Sequence, residues 1–278
     1  MSMILAWLGA TRNLAIPIVL SSLGGLLSEK VGVAALSLEG LMLAAAFTAV
    51  RLNGGYIGLI GGSAVAIAIA CVQFYLIACL RIRDIIVCLF VNMFVLALTN
   101  FIERVSPSMS DVTTISPVPC IIITLSLCIL IGLVFTLRKF SLPLGLVGES
   151  ALQATILGYS VKQIRFQATI GMGLMAGVGG AMLPLMSLGL FTENMTQGRG
   201  YLALAAIVFG RWKFSTTLVA ALVFSSLDAL QLTLSAQGVR TETDLLEMIP
   251  YIVGIIALAV RGSKDQAPKE LERGGSSD

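Results

Sequence analysis

Four long stretches without any Asp, Glu, Lys or Arg limit what this chain can fold into more than any other feature of its sequence. They lie between Arg51 and Arg81, Asp84 and Glu103, Asp111 and Arg138, and Arg165 and Glu193. A helix needs about 20 mainly apolar residues to cross a hydrocarbon core about 30 Å thick. Lipid offers no partners to backbone polar groups, so such stretches cross it as helices. We therefore expect a membrane protein with several spans.

The composition leads to the same fold class. Hydrophobic residues make up 57% of the chain and charged residues 12%, whereas soluble domains carry about 25% charged residues. We predict an all-α, polytopic transmembrane protein with about nine segments (eight to ten). The apolar runs fall near residues 13–28, 33–50, 56–80, 85–101, 118–137, 167–185, 200–210, 214–234 and 248–260.

The distribution of basic residues orients these segments. Lys and Arg concentrate in short cytoplasmic loops. If the connection 138–166 is cytoplasmic, 13 of the 18 basic residues lie inside and 5 outside, and the opposite orientation reverses that ratio. We assign residues 1–262 to a transmembrane domain and residues 263–278 to a polar cytoplasmic tail, which we expect to be disordered.

Several kinds of site are not expected. The chain has no histidine, and its five cysteines all lie in apolar runs without a CxxC pair, which is typical of helix packing. We therefore expect no metal site, no catalytic constellation and no bound cofactor. The N-terminus has neither a basic start nor a small-residue cleavage site, so we expect insertion in place of export.

Small residues recur every four positions in two segments, at Gly54, Gly58, Gly62, Ala66 and Ala70, and at Gly173, Gly177 and Ala181. Stripes of this kind let helix backbones approach closely where lipid supplies no hydrophobic driving force. We interpret both stripes as buried helix interfaces.

Two of the apolar segments are too short to span the membrane. The uncharged stretches 40–50 and 200–210 each cover about half of the core at 1.5 Å per residue. Glu39 directly precedes the first stretch and Arg199 directly precedes the second, and each stretch begins with a glycine, Gly40 or Gly200. Both pairs are offset by 160 residues. Interrupted segments at corresponding places in two halves indicate a substrate pathway. We predict two pseudo-repeats with discontinuous helices, whose half-helices line one central pathway.

Polar residues within the apolar segments are the candidates for that pathway. Glu39 heads a half-helix and is either a pathway residue or a helix cap near the cytoplasmic interface. Arg199 is either at the outer mouth or an interfacial loop charge. Asp228, the only charge between residues 213 and 240, is either functional or bonded to a neighbouring helix. Asn92 and Asn100 either contact a solute or join helices.

The longest inner loop contains a short helix signal. Ser150 can cap a helix at its N-terminus, and Gly158 can end it. Such a helix suits docking to a soluble partner. No GxxxxGK[ST] loop occurs, so ATP-driven transport would need an ATPase on another chain.

Five motifs of this sequence resemble those of bacterial nucleoside ABC permeases, relatives of the ribose and branched-chain amino acid permeases. LSEKVGV (27–33) followed by LEGLM (38–42) is similar to the first signature of that family. The second signature is matched almost throughout by FTENMTQGRGYLALAAIVFGRW (191–212). GLMAGVGG (173–180) and MIPY (248–251) match further positions.

The resemblance implies a multi-pass subunit of the bacterial inner membrane that works with a second permease, identical or different. It also implies a cytoplasmic ABC ATPase that uses the ATP, an extracytoplasmic solute-binding lipoprotein, and contacts with lipid but not with nucleic acid. Ser150, Ala154 and Gly158 fall in its coupling helix. The chain departs from the family at Ala35 and Ser37, where Asn and Gly are usual.

The predicted function is therefore the permease subunit of an ATP-driven importer, for purine-type nucleosides. Riboflavin or a sugar is the alternative solute, and an ion-coupled secondary transporter is the alternative class.

Overall fold

The computed structural model describes residues 2–107, 112–187, 189–236 and 267–272. Within these ranges the chain is helical, and its one β-bridge joins Gly54 to Thr113. The helices are α1 (Ser2–Lys30), α2 (Leu38–Arg51), α3 (Gly55–Ala78), α4 (Asp84–Val105), α5 (Pro117–Thr136), α6 (Arg138–Glu149), α7 (Ala151–Ile156), α8 (Val161–Leu185), α9 (Arg199–Phe209), α10 (Phe214–Ala236) and α11 (Lys269–Glu272).

The prediction of an all-α, multi-pass membrane protein is confirmed. In the part of the chain that the structure describes, six helices are long and apolar enough to cross a membrane: α1, α3, α4, α5, α8 and α10. The predicted short segments correspond to α2, with 14 residues, and α9, with 11 residues. The predicted segment 248–260 lies outside the described residues. Helix α6 was not predicted, because Pro143 and two glycines obscure its apolar face.

The two small-residue stripes lie in buried helix interfaces, as predicted, and they pack against each other. A Cβ placed on Gly173 would lie 2.7 Å from the Cβ of Ala70, and one on Gly177 would lie 2.8 Å from the Cβ of Ala66. The residue numbers rise on α8 as they fall on α3, so these helices are antiparallel. Glycine is required here because any side chain would separate the two backbones.

Helix α8 also packs along α1. A Cβ on Gly179 would lie 3.2 Å from the Cα of Pro17, and one on Gly24 would lie 3.3 Å from the Cα of Met172. The order of these contacts makes α1 and α8 antiparallel as well. Both helices therefore lie at the centre of the bundle, which is where the buried side chains concentrate.

Helix α2 begins halfway along this central pair. Ala45 of α2 lies against Gly62 of α3, and Met42 lies against Gly180 of α8. By the same register, the first turn of α2 lies beside the middle of α3 and α8. From there α2 runs parallel to α8.

Helix α9 starts at the same depth and runs the opposite way, parallel to α1. Ile207 lies against Gly25, and the Trp212 indole that follows α9 donates to Glu29 near the end of α1. The pair α1–α2 is therefore the inverted counterpart of the pair α8–α9, and the N-termini of the two half-helices meet between them.

At one end of the bundle α1 ends with Lys30, α9 is followed by Arg211, and α8 begins near Lys162. We call this the basic end. The short helices α6 and α7 lie at this end. The expectation of a disordered tail is wrong for residues 267–272, which form α11 and its preceding turn. Glu270 of that segment is buried, because it packs against Gly32 and pairs with Arg165.

Candidate functional site at the ends of the half-helices

Glu39 joins the two half-helices. Its carboxylate Oε1 accepts hydrogen bonds from the Thr196 hydroxyl and from the Gly198 amide at 2.9 Å, and its Oε2 accepts one from the Gly200 amide at 2.7 Å. These donors belong to the start of α9, whose first amides have no partner within the helix and form its positive dipole end. Glu39 of α2 thus caps α9.

The backbones are close at this point. A Cβ on Gly200 would lie 2.5 Å from the amide nitrogen of Glu39 and 2.6 Å from its Cα. Only glycine permits this approach. Glu39 therefore lies where the two half-helices meet, and it caps α9 in place of its own helix.

Asn92 of α4 caps the other half-helix. Its Oδ1 accepts from the Gly40 amide at 2.8 Å, and its Nδ2 donates to the Leu36 carbonyl at 2.7 Å and to the Tyr201 hydroxyl at 3.2 Å. One amide side chain thus connects α4, the turn before α2, and the first turn of α9. From the sequence, Asn92 is either a solute contact or a residue that joins helices, and the geometry supports the second interpretation.

Two more residues of α4 hold the same turn, and the sequence analysis missed them. Asp84 Oδ2 accepts from the Ala34 amide at 3.1 Å, and the Cys88 thiol donates to the Ala34 carbonyl at 3.4 Å. With Asn92 they recur every four residues, so they form one stripe along α4. This stripe bonds backbone groups of the non-helical turn 34–37 and of the first turn of α2, which must find their partners inside the protein.

Arg199 and Asp228 form a buried ion pair, with 2.9 Å between Nε and Oδ2. Arg199 also donates to the Met195 carbonyl at 3.1 Å and to the Gln197 side chain at 3.4 Å. Arg199 is therefore a buried and paired residue at the start of α9. Asp228 does bond a neighbouring helix, since it connects α10 to α9.

Asn100 is not part of this cluster. It lies two turns further along α4, and its buried Oδ1 has no hydrogen-bond partner among the described residues. Four of the five candidates, namely Glu39, Asn92, Arg199 and Asp228, thus converge on the ends of the half-helices. Their common role as a pathway stays a prediction.

Tyr201 is a further residue at this site that the sequence analysis did not single out. Tyr201 is 41% exposed and lies in the first turn of α9, and its hydroxyl accepts from Asn92. It is an aromatic ring at mid-depth beside a polar cluster. The signal available in the sequence was its position within the second signature.

The two signatures meet again at the basic end. Glu29 accepts from the Trp212 indole at 2.6 Å, and the Lys30 ammonium donates to the Trp212 carbonyl at 3.3 Å. The turn after α9 is tight, because Arg211 and Trp212 both have φ in the left-handed region, at 52° and 53°. The first and second signatures are thus one packing unit, joined at Glu39 and at Glu29.

The short helix α7 has the predicted caps. The Ser150 hydroxyl accepts from the Gln153 amide at 3.3 Å, and Gly158 has φ +84°, which ends the helix. Ala154 is buried and faces the protein. The opposite face is apolar and open, with Leu152, Ile156 and Leu157 exposed by 72%, 76% and 61%.

The polar groups of the half-helix site are not arranged as a metal site. In the described part of the chain, His, Cys, Asp and Glu side chains do not gather in groups of three or more that would hold an ion. The polar groups of the cluster bond to each other and to helix ends, so they brace the two half-helices.

Curated relatives cover nearly the whole chain. A guanosine ABC transporter permease of Bacillus subtilis is 27% identical over 94% of this chain and 93% of its own length. A nucleoside ABC transporter permease of Lactococcus lactis is 26% identical over 91% of each. A putative glucose ABC transporter permease of Haloferax volcanii is 33% identical over 84% of this chain and 78% of its own length.

A family model described as the permease component of branched-chain amino acid transport systems matches residues 8–258. This range includes α1 from residue 8 onward, the other described transmembrane helices, both half-helices and α7. The chain therefore belongs to this family of membrane permeases.

Proposed function

We propose that the chain is the membrane-spanning subunit of an ATP-driven importer for nucleosides, with purine nucleosides as the preferred solutes. The observation that carries this proposal is the meeting of two inverted half-helices at mid-depth, with an exposed docking helix at the basic end. The first arrangement is typical of a central substrate site in transporters. The second offers a surface to a soluble partner.

The partners follow from the exposed face of α7. Leu152, Ile156 and Leu157 form an apolar patch on a helix that has no lipid-spanning role, and exposed apolar patches indicate protein contacts. We assign this patch to a cytoplasmic ABC ATPase, which binds and hydrolyses ATP while this chain has no catalytic role. A second permease subunit and an extracytoplasmic solute-binding lipoprotein complete the importer. The basic end is then cytoplasmic, in a bacterial inner membrane.

Two relatives and one residue of this chain favour purine nucleosides as the solute. The relatives named for guanosine and for nucleosides align over more of this chain than the one named for glucose. Tyr201 presents an aromatic ring at the level of the half-helix ends, and stacking of a base on an aromatic ring contributes about 1–3 kcal/mol. We assign Tyr201 to the solute pathway.

A sugar is the second candidate solute, because the relative named for glucose has the highest identity of the three, 33%. A sugar ring offers no flat π-face to Tyr201, so its uptake depends less on that residue. Riboflavin, with a flat ring system, behaves like a nucleoside in this respect. A panel of solutes is therefore needed.

The test uses the assembled importer in proteoliposomes, with radiolabelled guanosine as the solute. We expect ATP-dependent uptake that unlabelled purine nucleosides compete for better than glucose, ribose, leucine or riboflavin. Tyr201→Leu should lower guanosine uptake by about tenfold, in line with the loss of one stacked base. Tyr75→Leu is the matched control, since Tyr75 is 57% exposed on α3 and does not contact the site.

Three results would contradict the proposal. Competition by glucose or leucine alone would reassign the solute. Uptake driven by an ion gradient without ATP would favour a secondary transporter. Equal losses in Tyr201→Leu and Tyr75→Leu would remove Tyr201 from the pathway.

A further inference from the structure

Glu270, near the C-terminus, is buried in a place where three parts of the basic end meet. Its side chain is 2% exposed and pairs with Arg165 of α8, with 3.1 Å between Oε2 and Nη2. Its Oε1 accepts from the amide of Ala151 at 3.3 Å. Burying a carboxylate without partners is costly. The bonds to Arg165 and Ala151 therefore fix where the Glu270 side chain lies.

The surface around Glu270 is shaped to receive it. A Cβ on Gly32 would lie 2.6 Å from the Cβ of Glu270, and one on Gly148 would lie 3.3 Å from the Cβ of Pro268. Gly32 also has φ +81°. Gly32 thus leaves room for the tail where a side chain would collide with it, and Gly148 lies in close contact with the tail.

The contacts of Glu270 form a continuous connection between the docking helix and the half-helix site. Ala151 is the first residue of α7, so Glu270 holds the N-terminus of the helix that faces the ATPase. Arg165 in turn donates to the Val31 carbonyl at 3.2 Å. Val31 begins the non-helical turn that leads to Glu39 and α2.

We propose that Glu270 is a positioning residue that transmits movement of the docking helix to the half-helix site. The tail segment 267–272 acts as a strut: it ties α7 to Arg165, and through Arg165 to the turn before α2. When ATP binding moves α7, the strut moves Val31 with it. This inference rests on the proposed role as an ATP-driven importer.

The experiment measures uptake and ATP hydrolysis together in the reconstituted importer. Glu270→Ala removes both contacts, whereas Glu270→Gln keeps an acceptor for Ala151 but removes the charge that faces Arg165. We expect the solute imported per ATP hydrolysed to fall about tenfold in Glu270→Ala, a typical size for coupling between sites, and less in Glu270→Gln. Hydrolysis itself should continue, because α7 keeps its apolar patch.

Lys269→Ala is the matched control. Lys269 is the neighbouring residue, and its ion pair with Glu149 at 3.7 Å is exposed on both sides, so its contribution is small. We expect wild-type coupling in this variant. If Glu270→Ala does not assemble, Glu270→Gln decides, with assembly checked by recovery of the ATPase with the chain.

The outcomes separate this inference from the proposed function. A wild-type importer without ATP-dependent uptake refutes the function itself. Wild-type import per ATP in both Glu270 variants overturns the strut. Parallel losses of import and hydrolysis also overturn it, because they indicate a merely structural role.

Discussion

At the scale of single residues, the half-helix site shows how a carboxylate is stabilised at mid-depth in a membrane. A charged residue there costs on the order of 3 kcal/mol on insertion scales. Glu39 offsets this cost with three donors from the start of α9, two of them backbone amides at a positive helix end. The same carboxylate thereby fixes α9 against α2.

This geometry predicts the effect of Glu39→Gln. The amide has the same shape but only one acceptor oxygen, so its NH₂ group faces at least one backbone N–H. Leaving a buried donor unsatisfied costs about 1–3 kcal/mol. We expect a lower melting temperature in detergent and loss of uptake.

Glu193→Gln is the control, because Glu193 precedes the same helix but pairs with Arg104 at the surface, 47% exposed. That variant should keep the wild-type melting temperature. Equal stability of both variants would mean that the three bonds to Glu39 contribute nothing.

The sequence predicted the charges inside apolar segments better than the other members of this site. Glu39, Arg199 and Asp228 are conspicuous because a charge inside an apolar segment needs a reason. Asp84 lies at the edge of its segment, where a charge is ordinary, and Cys88 resembles an apolar residue. Asn100 lies eight residues beyond Asn92, about 12 Å further along α4, so it does not reach the turn before α2.

At the scale of elements, the caps alone were enough to predict the short helix α7. Ser150 and Gly158 bracket it in the sequence, and the structure places them at its two ends. The contact of α11 did not follow, since a polar tail has no pattern that indicates where a single glutamate docks. Burial of Glu270 depends on Gly32, Gly148 and Arg165, which are distant in sequence.

Gly158→Leu should abolish coupling without preventing insertion. Nothing lies within 4 Å of the position of a Cβ there, so a side chain has space. The strain comes from the backbone, because φ is +84° and a left-handed conformation costs an L-residue about 1–2 kcal/mol. We expect the end of α7 to shift, and ATPase recovery and uptake to fall.

Two variants make this test specific. Gly145→Leu on α6 also places a leucine in open space, but at an ordinary φ, and should transport normally. Gly158→Asn should retain most uptake, because asparagine tolerates the left-handed region. Normal uptake in Gly158→Leu would remove α7 from coupling.

At the scale of the whole molecule, the inverted pairs α1–α2 and α8–α9 explain the 160-residue offset. Each pair is a long helix, a non-helical turn and a half-helix, and the second pair runs in the opposite direction to the first. The sequence indicated two corresponding interruptions. Their inverted relation required the contacts of Gly24, Gly25 and Gly62, since a short match of residues carries no direction in the membrane.

The same architecture predicts how the site opens. Gln197, just before α9, is exposed, whereas Ser37, just before α2, is buried against the neighbouring helices. In a cysteine-free background, with Cys88→Ser to retain a donor to Ala34, a hydrophilic thiol reagent should label a cysteine replacing Gln197 without ligand. A cysteine replacing Ser37 should stay protected until ATP turnover separates the half-helices, since alternating access requires the braced site to open. Two outcomes would show that the half-helices do not part around a solute. Either only lipid-soluble reagents label both cysteines, or the cysteine that replaces Ser37 stays protected throughout turnover.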